Sequence, residues 1–207
     1  MKLAVSILKS KYDEEKTIKK LNETNADFLH LDVMDGRFVI ETTPERQYLQ
    51  DSIKPLQVHL MVSNPFNYIS KYELVNTESI IIQVELDEDI DGLLDFIKSR
   101  NLKCGLAIKP ESNVNRILPY IEKLDYVLVL TVEPGKGGQK MMKDVLYKID
   151  LLNEFKRERK LNFEIIVDGG VNDETIKSVQ NADIVVSGSY ICESDNYQEK
   201  IDKLLQK

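Results

Sequence analysis

The two histidines of this chain each sit inside an apolar, strand-like run, His30 in Phe28-Leu29-His30-Leu31-Asp32-Val33 and His59 in Val58-His59-Leu60-Met61-Val62. A strand alternates its faces, so His30 and Asp32, two residues apart, point the same way. A later run, Phe163-Glu164-Ile165-Ile166-Val167-Asp168, ends in a carboxylate and passes directly into Gly169-Gly170. Two imidazoles and two carboxylates brought together at strand ends make a divalent-metal site. The alternative is two unrelated buried histidines. Placing both histidines on strands of this type, one beside a carboxylate on its own face, favours ligation. This donor set suits Zn²⁺, Fe²⁺, Mn²⁺ or Co²⁺, and the lack of thiolates argues against a purely structural zinc.

Elements that repeat along the chain must position these groups. Strand candidates are Leu3–Leu8, Phe28–Val33, Leu56–Val62, Ser79–Val84, Lys103–Ile108, Tyr126–Val132, Phe163–Val167 and Ile184–Ser187. Most are short, continuously apolar runs, as expected where both faces are covered. Helical spacing fills the intervals from Asp13 to Asn25, Ile90 to Arg100, Lys140 to Lys160 and Asp195 to Lys207. Eight strands alternating with helices predict a parallel sheet closed into a (β/α)₈ TIM barrel, one catalytic domain over residues 1–207. An open doubly wound sheet usually has a glycine-rich loop after its first strand, whereas Lys9-Ser10-Lys11-Tyr12 follows here.

Seven of the nine glycines follow candidate strands: Gly36, Gly135, Gly137, Gly138, Gly169, Gly170 and Gly188. In such a barrel they fall on the face where the βα loops build the site, and the last two loops are the usual phosphate cradle. Backbone N–H groups hold an anion without net positive charge, which matters because the formal net charge is −7. That charge also argues against a nucleic-acid partner. No run is long and apolar enough to span a membrane or serve as a signal peptide. Cys104 and Cys192 form no paired motif and read as small buried residues of a reducing compartment, so a cytoplasmic location is expected. Asp35 lies three residues from Asp32 and fits a loop-capping role.

Four segments in order, Leu31–Val39, Val58–Val62, Thr131–Gln139 and Val167–Asn172, together with Val5-Ser6-Ile7-Leu8, resemble the ribulose-phosphate 3-epimerase family. The resemblance runs from residue 5 to about residue 189. It implies a (β/α)₈ barrel with one catalytic divalent ion that interconverts D-ribulose 5-phosphate and D-xylulose 5-phosphate. Carried over position by position, it makes His30, Asp32, His59 and Asp168 the metal ligands, and Asp32 and Asp168 the acid/base pair. Ser6, His59, Asp168, Met34 and Met61 would contact the substrate. Phosphate would lie against Gly169, Gly170, Gly188 and Ser189, with the loop Gly135, Lys136, Gly137 and Gly138 closing over it. The family is commonly dimeric or hexameric, which implies a homo-oligomer.

The chain departs from the family pattern at Arg37–Glu41, where His-Phe-Val-Pro-Asn is usual, and at Gln83, which replaces a histidine. Lys109, Lys136 and Leu130 stand where Asn, Phe and Met are usual. None removes a proposed ligand or acid/base residue. They bear on which ketose phosphate is used, with D-allulose 6-phosphate the runner-up. Related phosphate-binding lyases and decarboxylases typically carry an Asp-x-Lys-x-x-Asp pattern, and none occurs here. A non-catalytic sugar-phosphate sensor is the remaining alternative, against which stands the retention of all four metal-type residues.

Overall fold

A computed structural model describes residues 1–205. Eight parallel strands close into a barrel in chain order: β1 (Lys2–Ser6), β2 (Phe28–Met34), β3 (Leu56–Met61), β4 (Thr77–Gln83), β5 (Lys103–Ile108), β6 (Tyr126–Leu130), β7 (Glu164–Asp168) and β8 (Ile184–Ser187), which pairs back with β1. The helices are α1 (Glu14–Asn22), α2 (Pro65–Lys71), α3 (Ile90–Ser99), α4 (Tyr147–Glu158), α5 (Ser189–Cys192) and α6 (Tyr197–Leu205). The crossovers β2–β3, β5–β6 and β7–β8 carry only 3-10 turns. None of the helices described is long and apolar enough to cross a membrane.

The expected strands all form, with shifted ends that have local causes. The first strand, expected through Leu8, stops at Ser6, whose Oγ accepts from Leu8 N at 3.3 Å and turns the chain out of the sheet. The sixth stops at Leu130; beyond it Thr131 still donates its N–H to the Asp168 carbonyl at 2.8 Å, and its hydroxyl donates to the Gly169 carbonyl at 2.6 Å. The seventh runs one residue further than expected and includes Asp168. The helix expected from Lys140 begins at Tyr147, since the chain before it packs against Gly170. Asp13 caps α1 by accepting from Lys16 N at 2.8 Å. The last helix begins at Tyr197 with Asn196 Oδ1 accepting from Glu199 N, and its expected end at residues 206–207 lies outside the described residues. The sequence reading missed α2, which opens on Pro65, a residue suited to a first helical turn.

Strand parity divides the protein into two packed regions. Outward-facing residues such as Leu3, Val5, Leu29, Leu31, Val58 and Leu60 join the helices in one apolar layer. Inward-facing Ala4, Phe28, Ile81, Leu128, Ile166 and Ile184 fill the barrel itself. Both cysteines are buried and unpaired, and burial pushes their thiols up to about 11 and about 12.

One buried charge outside the barrel is fully satisfied. Lys148 of α4 has no exposed surface, and its Nζ donates to the Lys109, Pro110 and Ser112 carbonyls at 2.8, 2.7 and 2.7 Å. The three protons of the ammonium match three carbonyls, which ties the loop after β5 to α4. Lys148→Met is expected to strip those carbonyls of their donor and cost about 2–4 kcal/mol of unfolding free energy, read from urea denaturation. A loss below about 0.5 kcal/mol would show that water replaces the ammonium freely.

Candidate functional site

The barrel register brings the chemistry-bearing residues together. His30 sits beside Ser6 on one side and Gln57 on the other, Asp32 lies beside His59, and Asp168 lies beside Leu130. Closure of the barrel then carries β7 round to face β2. His30 Nε2 lies 3.5 Å from Asp32 Oδ1 and 3.8 Å from Asp168 Oδ2, and His59 Nδ1 lies 3.2 Å from Asp32 Oδ1. One donor atom from each of His30, Asp32, His59 and Asp168 falls within 4.8 Å of all the others. The Ser6 hydroxyl donates to the other Asp32 oxygen at 2.7 Å.

These residues fit a bound divalent ion. Both ring nitrogens of His30 are buried with no hydrogen-bond partner among the described residues. A buried imidazole left unpaired is costly, and a ligand shared with the two carboxylates beside it would satisfy it. His59 is clasped on its far side, where Gln83 Nε2 donates to His59 Nε2 at 2.7 Å. Turning that amide over presents Oε1, which is otherwise unpartnered, to an Nε2–H and leaves the Nδ1 lone pair free. Gln57 is the cross-strand neighbour of His30 and also carries unpartnered amide atoms. Each histidine thus has a buried glutamine beside it, where ligating histidines often have a carboxylate or carbonyl.

The two carboxylates are driven apart in acidity. Burial pushes Asp32 upward, but the His30 charge 3.5 Å away and then the His59 ring 3.2 Å away outweigh it and hold Asp32 well below the usual carboxylate range. Asp168 is pushed up to about 6 by burial and then by the neighbouring Asp32 charge. Burial lowers the His30 pKa, yet Asp32 and Asp168 together raise it above the ordinary value. Asp35 takes the structural role expected of it, accepting from Arg37 N and Phe38 N at 2.9 Å and from Ser63 N at 2.7 Å.

Above this cluster a cleft opens at the C-terminal ends of the strands. Ser6, Asp32, His59, Met61, Gly135, Lys136, Gly137, Gly138, Asp168, Gly169, Gly170, Gly188 and Ser189 all line it. Met34 does not; it is buried at the end of β2, beside Met61 in register. Gly169 and Gly170 have φ of +122° and +65°, and a Cβ on Gly170 would come within 2.5 Å of Met141 N. Only glycine fits that turn. Of the unusual cations, Lys136 pairs with Glu41 at 3.3 Å, Lys109 lies over the Phe38 ring at 4.4 Å, and Arg37 is exposed. Sequence reasoning missed Lys9, which also lines the cleft, and Gln57. Gln57 was legible as a polar residue two before His59 in an apolar run.

Residues 2–192 match the model of the Ribulose-phosphate 3 epimerase family. A ribulose-phosphate 3-epimerase from Helicobacter pylori strain J99 is 36% identical, over 99% of this chain and 96% of that protein. The Bacillus subtilis strain 168 protein of the same name is 32% identical, over 99% and 98%. In fold the chain is similar to 3-hexulose-6-phosphate synthase from Salmonella typhimurium, with a TM-score of 0.69 at 14% identity over 100% and 97% of the two chains.

Metal binding gives two expectations. His30→Ala and His59→Ala should each weaken zinc or manganese binding to metal-stripped protein by about 10–100-fold, measured by competition with a chromogenic chelator. A proton competes with a metal for Asp168, whose pKa is about 6, so affinity should hold steady above neutral pH and fall as pH drops through 6. The raised His30 pKa acts in the same direction. Equal affinity at pH 5 and pH 7.5 would contradict that assignment.

Proposed function

The chain belongs to the ribulose-phosphate 3-epimerase family, and on that footing we propose that it interconverts D-ribulose 5-phosphate and D-xylulose 5-phosphate by two-base proton transfer, as a single catalytic domain. The observation that carries this reading is the convergence of Asp32 from β2 and Asp168 from β7 on one point beside His30 and His59. Epimerisation beside a ketone removes a proton from one face of a carbon and returns one to the other. A single base would hand the proton back to the face it left. Two carboxylates from opposite walls of the barrel supply a base for one epimer and an acid for the other.

In this reading His30, Asp32, His59 and Asp168 hold one divalent ion, which supplies Lewis acidity toward the ketone and its neighbouring hydroxyl. Asp32 is held ionised by the neighbouring His30 and His59 rings and positioned by the Ser6 hydroxyl. Asp168, with its pKa of about 6, takes up a proton more readily. The sugar lies under the Gly135–Gly138 loop with its phosphate toward Gly169, Gly170, Gly188 and Ser189, all of which line the same cleft.

The test uses metal-replete protein and compares kcat/KM for D-ribulose 5-phosphate and D-allulose 6-phosphate. A higher value for the pentulose is expected; a higher value for the hexulose would change the substrate while leaving 3-epimerisation in place. Absence of turnover with both would remove the proposal. Asp168→Asn should exchange solvent deuterium into one epimer faster than it converts the two, because only one face has lost its base. Equal loss of exchange from both epimers, with metal retained, would count against the two-base scheme.

A further inference from the structure

The cleft presents an electrostatic problem that its glycine loops solve only in part. A sugar phosphate brings a dianion into a cavity already lined by Asp32, Glu133 and Asp168, on a chain of net charge −7. Backbone N–H groups offer partial charges only, so a full cation at the phosphate end would lower the cost of entry. Of the cations noted in the sequence, Lys136 is turned toward Glu41, Lys109 is stacked on Phe38, and neither faces that end.

Lys9 does face it. It follows β1, lines the cleft, and packs its stem against Gly137, where a Cβ would lie 3.3 Å from Lys9 Cβ. A Cβ on Gly138 would lie 3.5 Å from Lys9 Nζ and 3.9 Å from Ser189 Oγ, so the ammonium and the hydroxyl flank one glycine. The Lys9 ammonium is tethered by Glu193 Oε1 at 2.7 Å, with the two side chains 54% and 48% exposed. A half-exposed pair of this kind is worth little, roughly 0–1 kcal/mol. A dianionic phosphate carries more charge than the Glu193 carboxylate and offers three acceptors. It therefore competes well for an ammonium that keeps N–H groups to spare.

We propose that Lys9 is a phosphate-binding residue, an ammonium held at the rim of the cleft by Glu193 and recruited by the substrate's phosphate beside Gly138 and Ser189. The proposal rests on the ketose-phosphate reading above. It makes Lys9 a binding residue that sets affinity and leaves the proton transfer to others.

The experiment is a comparison of wild type with Lys9→Met and Lys9→Arg. Lys9→Met should raise KM for D-ribulose 5-phosphate about tenfold with kcat within about twofold, and Lys9→Arg should recover most of the loss. Inorganic phosphate, titrated calorimetrically, should bind Lys9→Met about tenfold more weakly than wild type, with a flatter dependence on salt. Unchanged phosphate affinity in Lys9→Met would overturn the proposal, as would a loss of kcat and thermal stability with phosphate affinity intact. Failure of the wild type to turn over ketose phosphates would instead defeat the functional reading, and the phosphate titration would still decide the role of Lys9.

Discussion

Two carboxylates within reach of one another inside a protein are a liability unless something shares their charge. Asp32 is 5% exposed and Asp168 closes on it from across the barrel, so the mouth of this protein is organised around offsetting that repulsion. The Ser6 hydroxyl, the His59 ring and the His30 ring all converge on Asp32. Asp168 has fewer partners and answers with a raised pKa. A divalent cation is the chemically natural complement to this set. The same repulsion that makes the cluster costly on its own would favour a bound divalent ion.

The scaffold makes that cost tolerable by layering. Ile81, Leu128, Ile166 and Ile184 fill the barrel interior with apolar volume, and the outward faces of the strands are sealed under the helices. Polarity inside the barrel is concentrated toward the mouth, where Gln57 and Gln83 are buried beside the two histidines. A neutral amide can accept or donate, so Gln83 orients the His59 imidazole without adding a third negative charge to the cluster. The loops are positioned by separate devices. Asp35 caps the loop after β2, Lys148 ties the loop after β5, and Gly170 lets the loop after β7 pack against Met141. Each device is local, so the loops can differ from those of relatives while the cluster beneath them stays intact.

The sequence by itself determined which histidines and carboxylates could converge and on which face of the sheet they lie. Strand parity is a property of the backbone, so His30 with Asp32 could be read without any knowledge of the fold, and eight apolar runs were enough to count the strands of the barrel. The capping role of Asp35 and the glycine-bearing loops were legible for the same reason, since turns and caps depend on neighbours a few residues apart. Strand ends were less so. Ser6 turns the chain out of β1 with a side-chain hydrogen bond, the Thr131 hydroxyl after β6 bonds the loop beyond β7, and periodicity carries no record of such bonds.

Tertiary structure alone decided the distances. Asp32 and Asp168 are far apart in the chain, and only closure of β8 onto β1 brings their strands face to face. It likewise decided that Lys109 and Lys136 contact other loops while Lys9, after the first strand, stands beside Gly138 and Ser189 at the rim of the cleft. The partnership of Gln83 with His59 and the three carbonyls around Lys148 belong to the same class. A sequence records periodicity over a few residues, whereas charge, reach and pKa depend on neighbours that only the closed barrel assembles.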